Sequence, residues 1–246
     1  MAIFEDSNEI YGAPKITHLL HKEGFIISQK TVWKYMKILD IKSSVYTKFK
    51  KKNSGLSEQE KRLIENYAKN FPISSINQVW VSDITYIKTI NEGTVYLASI
   101  MDLFSRKIIA WDISYHMDTS LIANVFLNAY SSRKPSDIVI VHSDKGSQYR
   151  SAHYRKLLIQ HNCVFSYTSI GHSCDENANQ EAFHSLIKKE HLYQRQLFTL
   201  DDVKRECFIY IEGFYNSKRI HSSLNFLSPD EFENQLLEQK PPLKVV

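Results

Sequence analysis

The sequence predicts an α/β core preceded by a small α-helical segment. Three successive runs of β-branched and aromatic residues begin at Gln78, and helical and strand-like patterns then alternate. Ahead of them, residues 11–39 have the spacing of two short helices joined by a turn. Of the 246 residues, 43% are hydrophobic and 24% charged, which is typical of a globular protein with one large domain or two smaller ones.

Two short helices are predicted near the amino terminus. The first follows Pro14, which suits a first helical turn, and Gly24 ends it. Ser28 is a good N-cap for the second helix. That helix displays three basic side chains, Lys30, Lys34 and Lys37. The pattern resembles a helix-turn-helix, whose second helix can enter the major groove of DNA. The alternative is a small helical hairpin with a solvated basic face.

A basic linker is predicted between this segment and the core. It contains the lysine-rich run 48–52, and a short helix is expected over 57–69. Such linkers are usually just solvated, but beside DNA this run would add phosphate contacts. The predicted organisation is a helix-turn-helix-like segment at 1–42, the linker at 43–77, a core with carboxy-terminal helices at 78–236 and a tail at 237–246.

The core begins with three strand-like runs, VWVSDITYIKTI, TVYLASIMDLF and KIIAWDISY. Helical periodicity follows over 121–130, and then the short apolar strand DIVIVHS. A helix over 149–161, the strand CVFSY and a helix over 177–191 complete the series. This element order is that of a ribonuclease-H-like α/β fold: three strands, helix, strand, helix, strand and helix.

Two aspartates occupy positions that suggest function. Asp83 lies inside the first strand, where a carboxylate is unfavourable and therefore invites a functional explanation. Asp144 directly follows DIVIVHS, and ligand-binding groups of open α/β sheets commonly gather at the carboxyl ends of strands. Each has a structural alternative. Asp83 could cap a turn or pair with a lysine, and Asp144 could simply form the turn before Gly146.

A third carboxylate, Glu181, is predicted on the polar face of the last core helix. At about 100° per residue, Lys188 lies roughly 20° from Glu181 around the helix. The apolar residues Phe183, Leu186 and Ile187 point the other way, toward a core. This face therefore suits a metal at Glu181 and a phosphate at Lys188, although Glu181 taken alone could be a solvated acid.

Together, Asp83, Asp144 and Glu181 form a candidate catalytic and metal-binding set. Oxygen ligands of this kind suit Mg²⁺, and Mn²⁺ would also fit. Two such metals, roughly 3.5–4 Å apart, can activate a nucleophile and stabilise the leaving oxygen of a phosphodiester displacement. The sequence has no GxSxG elbow, P-loop or GxGxxG motif, so neither a serine nucleophile nor a nucleotide cofactor is indicated.

Charge, cysteine use and hydropathy narrow the class of protein. The net charge of +4 is only a weak indication of nucleic-acid binding. The cysteines at 163, 174 and 207 are widely spaced and suggest neither disulfides nor a zinc site. No apolar run approaches the ~18 residues of a membrane span, and the acidic start lacks the basic region of a secretory signal. We therefore expect a cytoplasmic, nucleoid-associated protein.

The motifs as a set resemble a known family. WVSDITYI, YLASIMDLFSRKIIAW, HSDKGSQYRS, ENANQEAFHSLIKKE and YIEGFYNSKRIHSSLNFLSPDEF closely resemble transposases of the insertion-sequence-3 family, and the likeness covers nearly the whole chain. It implies a retroviral-integrase-like core with an Asp-Asp-Glu triad at Asp83, Asp144 and Glu181, and Lys188 as the family's basic residue. It also implies that the carboxy-terminal signature YN-x-x-R-x-H supplies Arg219 and His221 near the core, where they contact DNA.

The reaction implied by this resemblance is metal-dependent DNA transposition. Hydrolysis at an end of a bacterial insertion sequence gives a 3′-OH, which then attacks another phosphodiester without a covalent protein intermediate. The implied partners are the terminal inverted repeats, the target DNA and a second copy of the chain, since joining two ends requires at least a dimer. Two alternatives are a non-catalytic DNA-binding regulator of transposition and a ribonuclease-H-like nuclease that does not join strands.

Two features depart from the family pattern. The family reads D-N-A-x-x-E, whereas this chain reads DENANQE, so Glu181 lies one position further from Asp144 than usual and Gln180 occupies the usual count. Gln180 cannot serve as an anionic ligand, and the helix phase favours Glu181. The chain also begins just before the second DNA-binding segment. We therefore expect that an upstream reading-frame product, fused or separate, helps to recognise the DNA ends.

Overall fold

The computed structural model describes residues 2–44, 73–167 and 178–238. Its first part contains three helices, α1 (Ala2–Asp6), α2 (Ala13–Lys22) and α3 (Gln29–Ile38). The two predicted helices are confirmed as α2 and α3. The sequence did not indicate α1, because a helix of five residues is too short to show periodicity.

Local sequence sets the ends of these helices. The Ser28 hydroxyl accepts a hydrogen bond from the backbone N–H of Thr31 at 3.1 Å, which satisfies one of the free N–H groups of α3. Gly24 has a φ of +88°, a conformation that glycine adopts at little cost, and it ends the turn after α2. Both predicted boundaries therefore have a physical basis in the structure.

A five-stranded mixed sheet forms the centre of the core. Its strands are β1 (Val79–Lys88), β2 (Thr94–Asp102), β3 (Ile108–Ser114), β4 (Val139–Ser143) and β5 (Cys163–Tyr167). They lie in the order β3-β2-β1-β4-β5. The first three pair antiparallel, whereas β1 with β4 and β4 with β5 pair parallel. Parallel neighbours need crossover connections, and helices supply them here, as the sequence predicts.

Helices pack against the sheet and bury two separate apolar clusters. They are α4 (Thr119–Arg133), α5 (Ala152–Gln160), α6 (Ala178–Glu190) and α7 (Leu200–Tyr210). Trp80 of β1 shares one cluster with Phe126 of α4. Ile87, further along the same strand, shares the other cluster with Phe183 of α6. Because alternate residues of a strand point to opposite faces, β1 is anchored to both layers.

The chain after α6 folds back over the core. A 3₁₀ turn (Leu192–Gln194), α7, a π-helical turn (Ile211–Asn216), a second 3₁₀ turn (Ser222–Leu224) and α8 (Pro229–Glu238) follow one another. The Glu233 carboxylate connects α8 to α4 and to the turn after β2. It accepts hydrogen bonds from Arg133 at 2.9 and 2.7 Å and from Ser105 at 2.6 Å. The Asn216 amide bonds both backbone groups of Ile108 at 3.0 Å, which ties the π-helical turn to β3.

Specific contacts attach the amino-terminal helices to this carboxy-terminal segment. The Tyr11 hydroxyl donates to the carbonyl oxygen of Lys218 at 3.2 Å and accepts from the N–H of Ile220 at 3.0 Å. The His18 ring stacks on Phe226 with centroids 4.4 Å apart. Apolar residues of α1, α2 and α3 also join the cluster that contains Phe183. The helical segment therefore shares part of its hydrophobic core with α6 and α7.

Several predictions fall on residues outside the described ranges. These are the lysine-rich run 48–52, the helix expected over 57–69, and the inserted position before Ala178. None of the helices that the structure describes is long and apolar enough to cross a membrane.

Candidate active site

Asp83 lies in the middle of the sheet, on a strand flanked by β2 and β4. It is paired across the antiparallel ladder with Ser99 of β2. Its Oδ2 atom lies 3.3 Å from Nδ1 of His184, a residue of α6. The other ring nitrogen, Nε2, lies 2.9 Å from the hydroxyl of Ser99. Asp83 is therefore oriented by a histidine that the neighbouring strand holds in place.

Asp144 directly follows the last residue of β4. In the parallel pairing of β1 with β4, Ser82 is the partner of Ser143. The residues that follow this pair, Asp83 and Asp144, are therefore brought near each other where the parallel pairing of β1 with β4 ends. The Asp144 carboxylate accepts a hydrogen bond from the N–H of Gly146 at 2.9 Å, which closes a tight turn. A Cβ atom on Gly146 would lie 2.9 Å from Oδ1 of Asp144, so any other residue here would have to displace the Asp144 carboxylate.

Gln180 and Glu181 both lie in the first turn of α6, and their environments differ. Gln180 is fully buried, and its amide donates to the carbonyl oxygen and the hydroxyl of Ser99. Glu181 instead lines an open pocket of about 310 Å³ together with Asp83. Burial raises the pKa of the Glu181 carboxyl, and the negative charges of Asp83 and Asp144 raise it further. The helix therefore presents Glu181 to the two aspartates and Gln180 to the core, while the catalytic role of Glu181 stays a prediction.

Lys188 lies two turns further along α6, at the edge of the same pocket. Its ammonium group donates to the hydroxyl of Thr85 at 2.7 Å and lies 4.5 Å from the ring centroid of Tyr86. Burial lowers the pKa of Lys188, and the negative charge of Asp83 opposes that shift. The lysine is thereby held where an oxygen of a phosphate in the pocket would meet its positive charge.

The sequence did not single out the groups that support the carboxylates. His184 lies three residues after Glu181, and this helical spacing, which puts both side chains on one side of α6, was the available signal. The hydroxyls of Tyr149 and Ser82 lie 3.0 Å apart. Ser82 directly precedes Asp83, and Tyr149 follows Asp144 by five residues. Burial and then the charge of Asp83 raise the pKa of Tyr149 well above its usual value. Tyr149 therefore remains a neutral hydrogen-bonding group inside the core, in the apolar cluster that contains Trp80.

Comparisons with known proteins support this architecture and identify the family. Two family models described as "Integrase core domain" match residues 74–173 and 181–237, and one described as "HTH-like domain" matches residues 1–49. The chain is 39% identical over 235 residues to "Transposase for insertion sequence element IS904" of Lactococcus lactis subsp. lactis (strain IL1403), covering 94% of this chain and 90% of the relative. The chain belongs to the IS3 family of transposases.

A second relative agrees with this assignment, and a solved structure shares the fold. "Transposase InsF for insertion sequence IS3A" of Escherichia coli (strain K12) is 35% identical over 240 residues, covering 96% of this chain and 81% of the relative. The fold is shared with a chain in the cryo-EM structure of the simian T-cell lymphotropic virus intasome in complex with PP2A regulatory subunit B56 gamma. That match has a TM-score of 0.50 and 15% identity, and it covers 78% of this chain and 70% of the other. The ribonuclease-H-like, integrase-type core with a preceding helix-turn-helix-like segment is thus confirmed.

In this IS3-family chain, Arg219 of the carboxy-terminal signature is part of a buried ion pair. Its Nε and Nη2 atoms donate to the two oxygens of Glu190 at 2.9 and 2.7 Å, and the Tyr210 hydroxyl donates to the same carboxylate at 2.6 Å. Burial alone would lower the pKa of Arg219, but Glu190 outweighs burial and raises it. The arginine therefore keeps its charge inside the protein. Its contact with DNA stays a prediction, and here its donors bind Glu190.

The other predicted DNA-binding residues differ in exposure. The His221 ring packs edge-on against Tyr215 at 5.0 Å, and burial lowers its pKa to about 3, so the ring is neutral. Its contact with DNA also stays a prediction. By contrast, the three lysines of α3 are exposed to solvent, namely Lys30, Lys34 and Lys37. The ammonium group of Lys37 lies 3.8 Å from the ring centroid of the exposed Trp33.

The three carboxylates suit a divalent cation by their chemistry. Asp83, Asp144 and Glu181 offer the oxygen ligands that Mg²⁺ prefers. Their mutual repulsion contributes to the raised pKa of Glu181, and a cation between them would relieve it. Within residues 2–44, 73–167 and 178–238, no three His, Cys, Asp or Glu side chains are grouped closely enough to hold a metal ion. The donor chemistry suits the ion, whereas the described side chains are not gathered into a ligand set, so metal binding by these carboxylates stays a prediction.

Proposed function

We propose that this protein is an Asp-Asp-Glu DNA strand transferase that moves a bacterial insertion sequence. Its catalytic and metal-binding residues in this proposal are Asp83, Asp144 and Glu181. The observation that supports it most directly is the pocket that Asp83 and Glu181 line together in an integrase-type core. The negative charges of Asp83 and Asp144, which help to raise the pKa of Glu181, agree with it. Membership of the IS3 family supports the same reaction, transposition with DNA integration.

The surroundings of each residue suggest its role. Mg²⁺ or Mn²⁺ held by the three carboxylates would supply Lewis-acid stabilisation of charge on the reacting oxygens. His184 keeps the Asp83 carboxylate in one orientation through its contact at 3.3 Å. Lys188, fixed by Thr85, places a positive charge beside a phosphate in the pocket. His184 and Lys188 are held by hydrogen bonds to Ser99 and Thr85, and electrostatic catalysis relies on groups that are fixed in advance in this way.

Two displacements at phosphorus complete the reaction. In the first, the oxygen of water bonds to phosphorus at an end of the insertion sequence and the bond from phosphorus to the 3′-oxygen breaks, which leaves a 3′-OH. In the second, that 3′-OH bonds to the phosphorus of a target phosphodiester and displaces the target's own 3′-oxygen. Neither step needs a covalent bond to the protein, and in this family the first joining is expected to give a branched and then a circular DNA.

DNA recognition is proposed to begin at α3. The exposed lysines Lys30, Lys34 and Lys37 would contact phosphates or the major groove of the terminal inverted repeats. The buried Arg219 and the half-buried, neutral ring of His221 favour an indirect contribution, in which they support the surface that meets DNA. A second copy of the chain and an upstream reading-frame product complete the active assembly in this proposal, which acts on nucleoid DNA.

A strand-transfer assay tests the triad. The full chain is incubated with labelled DNA carrying the terminal repeats that flank its gene, in Mg²⁺ or Mn²⁺, alone and fused to the upstream reading frame. Asp83→Asn, Asp144→Asn and Glu181→Gln should each abolish nicking and joining while leaving the unfolding midpoint near that of the unmodified chain. Asp201→Asn, an exposed acid on α7, is the matched control and should retain activity.

The outcomes separate the possible functions. Joining retained by one of the three variants removes that residue from the triad. Nicked ends that never become linked to target DNA indicate a nuclease. DNA binding without metal-dependent cleavage, both alone and in the fused form, would mean a regulator and would overturn the proposal.

A further inference from the structure

A second groove opens beside the carboxylate pocket. Its volume is about 450 Å³, and it shares Lys188 and Tyr193 with the pocket that contains Asp83 and Glu181. Two aromatic rings on its wall face solvent, since Tyr86 is 59% and Tyr193 73% exposed. The groove is therefore continuous with the candidate active site and lined by unusually accessible tyrosines.

Buried neighbours hold both tyrosines in place. Tyr86 lies on β1, three residues after Asp83, and is followed by the buried Ile87. Tyr193 lies in the 3₁₀ turn after α6 and is preceded by the buried Leu192. Because the backbone next to each tyrosine is anchored in the core, binding a ligand there does not require this part of the backbone to be ordered first.

Positive charge surrounds the two rings. Lys88 and Arg195 line the groove, and Lys188 lies 4.5 Å from the centroid of Tyr86, within the range of a cation–π contact. None of the described residues that line this groove is acidic. Outside the lining, Glu206 pairs with Arg195 at 2.8 Å, and Asp83 and Glu181 lie in the adjoining pocket. The groove therefore attracts an anionic ligand that also has flat apolar faces.

We propose that this groove binds unpaired nucleotides of the DNA strand that reacts at Asp83, Asp144 and Glu181. Their bases stack on Tyr86 and Tyr193, and their phosphates lie against Lys88 and Lys188. The inference rests on the proposed strand-transfer function, because it assigns the groove to the same substrate. It adds the state of that substrate: single-stranded next to the point of reaction.

Stacking distinguishes a single strand from a duplex as the occupant. In a duplex each base face is covered by the next base, so proteins read base edges in the grooves. Exposed aromatic rings interleaved with cations are instead the arrangement that binds unpaired bases without sequence preference. Opening a few base pairs at a DNA end costs free energy, and stacking on two fixed rings would offset part of that cost.

Binding to short oligonucleotides tests the groove without requiring catalysis. The full chain carrying Asp144→Asn is titrated with fluorescent DNA of about 12 nucleotides, a length within known single-strand site sizes, as a single strand, a blunt duplex and a duplex with an unpaired end. Tyr86→Ala and Tyr193→Ala should each weaken single-strand binding by at least about fivefold, the lower end of the loss expected for one stacked base. Both variants should also weaken binding of the duplex with an unpaired end, and both should leave the affinity for the blunt duplex unchanged.

Two controls test the physical cause. Tyr86→Phe and Tyr193→Phe keep the ring and should bind single strands within about twofold of the unmodified chain, because stacking depends on the ring face. Phe208→Ala removes an aromatic side chain that is 60% exposed on α7 and lines neither pocket, so it should have no effect. A 2-aminopurine base in the unpaired end should lose fluorescence on binding and regain it in the alanine variants.

Failure of the groove and failure of the proposed reaction give different results. Unchanged single-strand binding in both alanine variants would refute the proposed role of the groove, even when the unmodified chain joins DNA. Loss of binding with the tyrosine changes supports the groove even when no joining is seen. A change of oligomeric mass in the alanine variants without a change in DNA affinity would assign this surface to a protein interface, against the proposal.

Discussion

Replacing Arg219 with methionine should lower the free energy of unfolding by about 3–5 kcal/mol, the range for removing one partner of a buried ion pair. The change removes two charge-assisted hydrogen bonds, at 2.9 and 2.7 Å, from Glu190. The glutamate would keep only the hydrogen bond from Tyr210, although its side chain is 1% exposed. An uncompensated carboxylate inside the protein causes most of the loss.

The reciprocal change distinguishes the ion pair from simple packing. Glu190→Gln keeps the side-chain volume but leaves the Arg219 charge without its partner, so a similar loss of about 3–5 kcal/mol is expected. The double variant Arg219→Met/Glu190→Gln combines the two single changes and contains neither buried charge. Its loss should therefore fall short of the sum of the single losses by at least about 2 kcal/mol.

Urea unfolding of the full chain, followed by fluorescence of the buried Trp80, measures these differences. The slope of the transition should stay constant while the midpoint moves. A loss below about 1 kcal/mol for Arg219→Met, or strictly additive losses in the double variant, would refute the buried-pair explanation. A side chain held mainly for DNA contact would give that result.

Three further predictions concern the helices. The pKa of Lys15 is lowered from 10.5 to about 7 by burial and by Arg219, so the unfolded chain binds a proton that the folded chain lacks between these pH values. Unfolding free energy should then rise as pH increases from 7 to 10.5, and Lys15→Met should remove that slope. Ser28→Ala should cost about 1 kcal/mol by uncapping α3, measured as a lower unfolding midpoint, and no change would contradict the cap. Adding Gln180→Glu to Glu181→Gln should not restore joining, because the side chain at position 180 faces Ser99. The added buried carboxylate should destabilise the chain by several kcal/mol. Restored joining would mean that position 180, and not 181, supplies the third carboxylate.

Periodicity and local chemistry predict much of this fold. The β-branched runs mark β1 to β5, and the expected positions of α2, α3, α4, α5 and α6 agree with the structure to within a few residues. Ser28 could be assigned as an N-cap because its hydrogen bond spans only three residues. The phase of α6 places Glu181 and Lys188 on one polar face for the same reason, since helix geometry depends only on nearby residues.

Contacts between residues far apart in the chain could not be predicted from the sequence. His184 meets Ser99, a residue 85 positions away, and only the packing of α6 on the sheet brings the two together. The signature placed Arg219 near the core but did not indicate Glu190 as its partner, because the two residues are 29 positions apart and meet only in the folded chain. The attachment of Tyr11 to the backbone of Ile220 likewise depends on tertiary packing.

The burial of Phe183 and Ile187 has a consequence for how this chain can vary in length. These two side chains set the rotation of α6 against the sheet from within, independently of how many residues precede the helix. A residue added before Ala178 therefore leaves Glu181 facing the aspartates, as long as the connection can absorb it. One residue added inside the helix, between Glu181 and Phe183, would turn the carboxylate by about 100° and remove it from the pocket. Length variation near this site is thus tolerated on one side of Glu181 and excluded on the other.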